Sequence, residues 1–144
     1  MLKQLSEKDI QRYSHQLILK NVGYEGQKKL LASKVFILGM GGLGSPVSMY
    51  LTSAGIGTLG IADFDNVELS NLQRQILFDQ KNINKSKVEI AKKKLLLINQ
   101  NLKIKTYKQK ITKKNVDKII SNYDVVVDGS DNFKTKYLIN DSCV

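Results

Sequence analysis

The glycine-rich run at residues 39–44 (Gly-Met-Gly-Gly-Leu-Gly) fits the pattern G-x-G-x-x-G and constrains the fold more than any other feature. It follows the apolar segment 34–38, which is too short for a helix and long enough for a buried strand. Glycines there permit a tight turn and a close approach of backbone to phosphate, and the free N–H groups of a following helix attract the anion. The candidate phosphate-binding residues are Gly39, Gly41, Gly42 and Gly44.

The rest of the chain alternates between helical and strand patterns. Helices are predicted over about residues 7–19, 26–31, 43–54, 85–98 and 112–120 and from residue 133, and strands over 34–38, 58–62, 102–108 and 125–128. This alternation predicts an α/β fold of the Rossmann-like, doubly wound type, with a mainly parallel sheet, helices on both faces and preceding N-terminal helices. We expect the three valines at 125–127 to form a central strand, because β-branched residues suit burial on both faces.

Length and composition indicate one domain. The chain has 144 residues, of which 42% are hydrophobic, and this is enough apolar material for a single core. Four strands form a small sheet with an exposed edge, and the sequence stops at Val144 with the last predicted helix apparently unfinished. We therefore expect residues 1–144 to be a single nucleotide-binding domain that is truncated at its C-terminal end.

Charge is concentrated in the second half of the chain. The net charge is +10, and the stretch Lys81–Lys118 holds thirteen lysines against two acids, Glu89 and Asp117. This stretch forms either solvated helix faces or a basic face for an acidic protein. It lacks interleaved aromatic residues and a recognition-helix signature, so we expect no nucleic-acid partner.

The cysteine count and the hydropathy of the chain limit which metal sites and which cellular locations are expected. Cys143 is the single cysteine, which excludes an internal disulfide framework and a zinc site built from several cysteines. We expect it to be a buried packing residue. The N-terminus lacks the apolar core of a signal peptide, and no stretch approaches the roughly 18 apolar residues of a membrane span. We therefore expect a cytoplasmic protein with no membrane contact.

An acidic residue follows the second predicted strand. Asp63 stands nineteen residues after Gly44 (63 − 44), where an acid can bind a ribose hydroxyl. A glycine loop with such an acid indicates a nucleotide that carries a ribose. These features alone do not separate a nicotinamide or flavin enzyme from an enzyme that uses ATP.

The polar block at residues 65–75 favours ATP. It lies just beyond the second strand, where ligands bind in open α/β sheets, and a dehydrogenase has no need of it there. Arg74 offers a rigid fork for phosphate, Lys87 a point charge, and Asp131 a carboxylate for Mg²⁺, so together they describe a triphosphate cradle. The candidates from this half of the site are Asp65, Ser70, Asn71, Leu72, Gln73, Arg74, Lys87, Asp131 and Asn132.

Several motifs together resemble those of the ThiF/MoeB/HesA family, the bacterial relatives of the ubiquitin-activating enzymes. The resemblance runs over essentially the whole chain. The residues that carry it are Arg12-Tyr13-Ser14 with Gln16, Gly26-Gln27, Gly39 to Gly44, Ser53-Ala54-Gly55-Ile56-Gly57, Asp63-Phe64-Asp65, Ser70-Asn71-Leu72-Gln73-Arg74-Gln75, Lys87 and Asp128-Gly129-Ser130-Asp131-Asn132.

The resemblance implies ATP-dependent adenylation of the C-terminal glycine carboxylate of a ubiquitin-like sulfur-carrier protein (MoaD- or ThiS-like), in molybdopterin or thiamine biosynthesis. It implies ATP and Mg²⁺ as cofactors, pyrophosphate as product, a homodimer and a possible sulfur-donor protein. The roles it implies are Gly42 at the phosphates, Asp63 at the ribose, residues 70–74 with Lys87 at the triphosphate, Asp131 on Mg²⁺ and Asn132 beside the nucleotide. Arg74, Lys87 and Asp131 are the expected catalytic residues.

Two departures leave an alternative open. Family members commonly carry the motif R-Y-x-R-Q, and here His15 replaces its second arginine. Family members also continue well beyond this length. A non-catalytic nucleotide-binding or interaction module of the same family is therefore the alternative interpretation, and a Rossmann oxidoreductase is disfavoured because Arg74 has no role there.

Overall fold

The computed structural model describes residues 2–144. Its helices are α1 (Glu7–Arg12), α2 (Ser14–Leu17), α3 (Gly23–Ala32), α4 (Gly44–Ala54), α5 (Lys87–Ile98), α6 (Val116–Ile120) and α7 (Phe133–Cys143). Its strands are β1 (Lys34–Leu38), β2 (Thr58–Ala62), β3 (Lys103–Tyr107) and β4 (Val125–Asp128). Two single 3-10 turns, Leu69–Asn71 and Gln80–Asn82, interrupt the connection between β2 and α5.

The four strands form one parallel sheet in the order β3-β2-β1-β4. Each step along the chain from one strand to the next contains a helix, as parallel pairing requires. The order reverses between β1 and β4, and a ligand crevice is expected outside the carboxyl ends of the strands at such a point. The predicted Rossmann-like, doubly wound fold is confirmed.

Successive side chains of each strand point to opposite faces, so the sheet separates two hydrophobic cores. On one face Ile37 and Ile61 pack with α4 and α5, through residues such as Leu95. On the other face Phe36 and Leu38 pack with α6 and α7. Every residue of β1 after Lys34 is buried, and this burial fixes the strand that leads into the glycine loop.

Two local predictions were wrong. The valine strand β4 lies at an edge of the sheet, and Val125 is 53% exposed, because β-branched composition does not encode the order of strands. The helix predicted over 7–19 is two helices that meet at Tyr13, whose side chain is drawn into the core and is only 2% exposed.

Two further features bear on the expectations from composition. Cys143 is exposed, so the expected packing role is wrong. Within residues 2–144, the structure contains no helix of the length and hydropathy that crossing a membrane requires.

Tyr13 anchors the N-terminal helices on the end of α4. Gly55 ends α4 with φ +91°, and a Cβ there would lie 2.6 Å from Cζ of Tyr13 and 2.8 Å from Nε2 of Gln27. Gln16 and Gln27 both donate to the carbonyl oxygen of Ala54, at 3.2 and 3.0 Å. The motif residues near positions 12–16, 26–27 and 53–57 therefore form a packing joint far from the glycine loop.

This joint can be tested with two glycines that both have positive φ. A methyl group placed on Gly23 (φ +57°) would have no heavy atom within 4 Å, whereas Gly55 faces Tyr13. We expect Gly23→Ala to lower the free energy of unfolding by about 1–2 kcal/mol through backbone strain alone. Gly55→Ala adds overpacking and should cost roughly 1–3 kcal/mol more in urea unfolding. Equal losses in the two variants would show that Tyr13 does not pack tightly on Gly55.

Candidate functional site

A cleft of about 690 Å³ opens at the carboxyl ends of β1, β2 and β4. Its size falls within the range of about 300–1,000 Å³ that is usual for small-molecule sites. Ten of the fourteen predicted site residues line it: Gly39, Gly41, Gly42, Asp63, Asp65, Asn71, Arg74, Lys87, Asp131 and Asn132. The other four, Gly44, Ser70, Leu72 and Gln73, are not among its lining residues.

The glycine loop is held between the ends of three strands. Gly39 has φ +86°, and a Cβ on it would lie 2.9 Å from the carbonyl oxygen of Gly129, at the end of β4. A Cβ on Gly44 would collide with the carbonyl oxygen of Gly39, so Gly44 serves the turn itself rather than the cleft. A Cβ on Gly42 would lie 3.4 Å from Cγ of Arg74. The missing side chains at Gly39 and Gly44 therefore let the loop fold tightly, and Gly42 lies beside the Arg74 side chain.

The loop leads directly into α4, an eleven-residue helix. Leu43 is its N-cap, and among residues 2–144 no side chain caps this end. The first N–H groups of a helix have no internal acceptor, and the helix dipole is positive there. This end of α4 is therefore suited to an anion such as a phosphate.

Asp63, at the end of β2, connects the loop to the rest of the site. It is 8% exposed, and its Oδ2 accepts a hydrogen bond of 2.8 Å from the backbone N–H of Met40. Its Oδ1 accepts a bond of 2.9 Å from the backbone N–H of Asp65. The carboxylate thus bonds the glycine loop and the following loop at the same time.

Lys87, the first residue of α5, points into the same cleft. Its side chain is 7% exposed, and its Nζ lies 3.5 Å from Oδ2 of Asp65. Its backbone N–H donates to the carbonyl oxygen of Asp65 at 3.1 Å. A buried ammonium with one long ionic contact is available to a phosphate group.

The polar block after β2 divides into supporting and exposed residues. Asn71 is buried, and its Oδ1 accepts from the backbone N–H of Glu68 at 3.1 Å, which closes the 3-10 turn. Leu72 packs against the core, whereas Ser70 and Gln73 are exposed. Arg74 donates from Nη1 to the carbonyl oxygen of Ser70 at 3.2 Å, and the rest of its guanidinium remains for a ligand.

The loop after β4 contributes the remaining predicted residues. Asp128 holds this loop by accepting from the backbone N–H of Ser130 at 2.8 Å. Asn132 is the N-cap of α7, and its Oδ1 accepts from Thr135 at 2.9 Å, so the amide nitrogen is the part left for a ligand. Asp131 is exposed and lines the cleft.

The described residues contain no group of three His, Cys, Asp or Glu side chains that could hold a metal ion by themselves. Mg²⁺ does not need such a group, because it commonly uses one or two carboxylates together with phosphate oxygens and water. Asp131 suits this partial role.

Among the lining residues missing from the predicted set, two have side-chain atoms without a hydrogen-bond partner within residues 2–144. Gln75 is 3% exposed, and within residues 2–144 its Oε1 has no hydrogen-bond partner; Oγ of Ser130 is in the same situation. Buried polar atoms normally have partners, and both of these residues line the cleft, where a ligand could supply one. Each lies within a motif that was recognised from the sequence, but position alone does not reveal which side chains lack a partner.

The cleft also has an aromatic border. Phe64 is half exposed, and Nζ of Lys110 lies 4.6 Å from the centre of its ring. A cation over a ring holds both groups in place. The two residues line the cleft and also a second, larger groove between α6 and α7, so the cleft opens at this point.

A family model described as the ThiF family matches residues 13–144. The chain belongs to the ThiF family. Among curated proteins it is similar to the adenylyltransferase and sulfurtransferase MOCS3 of Dictyostelium discoideum, with 48% identity over 140 residues, 97% of this chain and 33% of that protein. It is also similar to MOCS3 of Drosophila ananassae, with 50% identity over 141 residues, 98% of this chain and 31% of that protein. The chain therefore spans about a third of the length of the curated relatives it matches.

The fold is also shared with a solved structure. The crystal structure of the Escherichia coli tRNA N6-threonylcarbamoyladenosine dehydratase TcdA in complex with ATP superposes with a TM-score of 0.91 and 25% identity. The similarity covers 98% of this chain and 58% of that chain. The Rossmann-like arrangement described above is thus also found in a structure solved with ATP bound.

The buried amides Gln75 and Gln27 give a matched test of ligand-directed and structural roles. Gln27 is fully bonded, since it accepts from Gln16 at 3.0 Å and donates to Ala54 at 3.0 Å. We expect Gln27→Leu to lower the free energy of unfolding by roughly 1–3 kcal/mol. Gln75→Leu should change it by less than about 1 kcal/mol, because it removes an unpaired buried oxygen.

Isothermal titration with ATP supplies the second half of this test. Gln75→Leu should weaken ATP binding by roughly tenfold, the effect of one lost hydrogen bond, while Gln27→Leu should not. Unchanged ATP affinity in Gln75→Leu would remove Gln75 from the ligand site.

Proposed function

We propose that this chain is the nucleotide-binding domain of an adenylyltransferase that uses ATP and Mg²⁺ to activate the C-terminal glycine carboxylate of a small ubiquitin-like sulfur-carrier protein. The observation that carries the proposal is the convergence of the glycine loop, Arg74, Lys87 and Asp131 on one cleft. Residues 1–144 act as one domain in this proposal. The pathway is molybdopterin or thiamine synthesis, and the curated relatives named MOCS3 support the adenylyltransferase assignment.

The residues of the cleft suit the charge problem of this reaction. The carrier's carboxylate attacks the α-phosphorus of ATP, the bond to the bridging oxygen breaks, and pyrophosphate leaves. Both reactants are anions, so fixed positive groups that neutralise the developing charge are the main catalytic resource. Arg74 and Lys87 supply two full charges, and the N–H groups at the start of α4 supply partial ones.

Individual positions support distinct parts of the nucleotide. The backbone at Gly41 and Gly42 carries no side chains and lines the cleft, which suits the phosphates, and Asp63 lies at the strand end where a ribose is expected. Asp131 would hold Mg²⁺ together with phosphate oxygens, which is how this ion is usually bound. Asn132 borders the same cleft and would lie beside the nucleotide.

Assembly is part of the same proposal. We expect the active form to be a homodimer, with a sulfur-donor protein acting after adenylation. His15 lies on α2 and is exposed, so it is accessible to a second copy of the chain.

Exchange of labelled pyrophosphate into ATP tests the function directly. It should depend on a candidate carrier protein and disappear when the carrier lacks its terminal glycine. Carrier-dependent exchange with this chain alone supports the proposal, including tolerance of His15. Tight ATP binding without exchange, for this chain and for the full-length gene product, would favour the non-catalytic module.

The two arginines of the chain give a matched test of the cleft. Arg74→Lys keeps the charge but loses the two-pronged contact with phosphate, so we expect the exchange rate to fall roughly 10-fold or more. Arg12 lies elsewhere and donates to the carbonyl oxygen of Ile98 at 3.1 Å, at the end of α5. Arg12→Lys should leave exchange near the wild-type rate. An unchanged rate in Arg74→Lys would remove this residue from the site.

A basic surface next to the cleft suits an acidic carrier. We define the lysine face by seven exposed lysines on β3, α6 and their connection: Lys103, Lys105, Lys108, Lys110, Lys113, Lys114 and Lys118. The ion pairs found among residues 2–144 within 4.0 Å use other lysines. Lys110 also lines the cleft, so the lysine face is continuous with the nucleotide site.

Charge reversal tests the lysine face. Lys108 and Lys113 are exposed in the connection that follows the carboxyl end of β3, so the double variant Lys108→Glu/Lys113→Glu should raise the KM for an acidic carrier roughly 10-fold at low salt. The KM for ATP should stay constant, and the effect should shrink as salt rises. Lys29→Glu/Lys34→Glu carries the same charge change away from the cleft and serves as control. Equal effects of the two double variants would exclude a specific role of the lysine face.

A further inference from the structure

Three backbone or side-chain contacts form a continuous path from the glycine loop to Lys87. The N–H of Met40 donates to Asp63, the N–H of Asp65 donates to the other oxygen of Asp63, and the carboxylate of Asp65 pairs with Nζ of Lys87. The backbone N–H of Lys87 returns to the carbonyl oxygen of Asp65. Two acids thus connect the two phosphate-directed elements of the cleft.

Burial of the Asp63 carboxylate lowers the stability of the fold unless the carboxylate accepts hydrogen bonds. Asp63 is 8% exposed, and a carboxylate out of water requires hydrogen bonds to its charged form. Its two bonds, 2.8 and 2.9 Å, come from backbone N–H groups of different loops. Charge-assisted bonds of this kind are roughly twice as strong as neutral ones, so the carboxylate draws the loops together.

The second acid, Asp65, restricts the conformation of the Lys87 side chain. A lysine side chain has four rotatable bonds and loses much conformational freedom when it is fixed. Asp65 meets both ends of this residue, at the backbone N–H (3.1 Å) and at Nζ (3.5 Å). Its carboxylate is half exposed, so it holds the ammonium toward the open side of the cleft.

We propose that Asp63 and Asp65 are positioning residues that fix the glycine loop and the Lys87 ammonium relative to each other, so that the polyphosphate site is assembled before a nucleotide binds. Asp63 then contributes to phosphate binding from beneath the loop, in addition to any contact with a ribose. Preassembly of this kind reduces the ordering cost of binding. The inference rests on the proposed function only in taking a polyphosphate as the ligand.

Inorganic tripolyphosphate is the probe, because it has phosphates but neither ribose nor base. Asp63→Asn keeps the size and can still hydrogen-bond a ribose, but its NH₂ group must face one of the two N–H donors. We expect tripolyphosphate affinity in calorimetry to fall roughly 10-fold or more, the effect of one charge-assisted bond replaced by an unmatched pair.

A matched control is available at the opposite end of the sheet. Asp124 accepts from the backbone N–H of Lys34 at 2.7 Å, before β1 begins its course toward the cleft. Asp124→Asn also perturbs one carboxylate-to-backbone bond and should leave tripolyphosphate affinity within twofold of wild type. Circular dichroism and thermal unfolding confirm that each variant is folded before binding is compared.

For Asp65→Asn, the direction of the change in tripolyphosphate affinity distinguishes the two explanations. It removes a negative charge beside the phosphate site, so simple electrostatics predicts tighter tripolyphosphate binding. The positioning role predicts weaker binding, by about 3-fold or more, since the ammonium loses its anchor. This variant also keeps the proposal testable if Asp63→Asn does not fold.

Three outcomes would overturn the proposal. The first is that Asp63→Asn binds tripolyphosphate as strongly as the wild type and changes only the preference for ATP over 2′-deoxy-ATP. The second is that Asp65→Asn binds tripolyphosphate more tightly than the wild type. The third is that the wild type shows no measurable tripolyphosphate binding. Carrier-dependent exchange is measured separately. Its absence in a protein that shows the expected tripolyphosphate results would reject the proposed function and leave the positioning role standing.

Discussion

Everything in this structure depends on how closely the backbone passes between the ends of β1, β2 and β4. The N–H of Gly39 donates to Ala62 at 2.7 Å, and the N–H of Gly129 donates to Leu38 at 2.7 Å, so the loop that leaves β1 is bonded to both neighbouring strands. A side chain on Gly39 would meet the carbonyl oxygen of Gly129. The resulting turn points the start of α4 at the cleft. Arg74, Lys87 and Asp131 can act on the same ligand only because they lie around this helix start.

The cleft combines positive groups for a ligand with acids that serve the protein itself. Arg74 and Lys87 carry charges into the cleft, yet each also has a contact to its own loop, with Ser70 and with Asp65. Asp63 is bonded on both oxygens to backbone N–H groups. Fixed groups of this kind do not have to reorganise when charge develops, which is the physical basis of electrostatic catalysis. Membership of the ThiF family and the geometry of the cleft thus both support the proposed adenylation chemistry.

Local patterns predicted the elements well, because the glycine loop, the short apolar strands and the helical periodicity are properties of neighbouring residues. What they missed depends on contacts across the fold. Val125 is β-branched, which suits burial, but it lies on an edge strand of the sheet, because the order of strands depends on tertiary contacts. Tyr13 divides a helix because its ring has a place above Gly55, forty-two positions away (55 − 13). Most candidate site residues line one cleft, whereas Ser70 and Gln73 are exposed outside it and Leu72 packs into the core.

Two buried glutamines show how residues of one family pattern divide between folding and chemistry. Gln27 is completely buried and bonded at both ends of its amide, so the joint between α2, α3 and α4 accounts for it in full. Gln75 is almost as buried, but within residues 2–144 its oxygen has no partner, and the residue faces the glycine loop, where its Nε2 is 3.7 Å from a Cβ placed on Gly41. An unpaired buried acceptor costs stability and is retained where a ligand or water completes it. Gln75 lines the cleft and Gln27 lies in the joint, and this difference in position, which the motif does not encode, is the reason to expect a ligand-directed role for Gln75 alone.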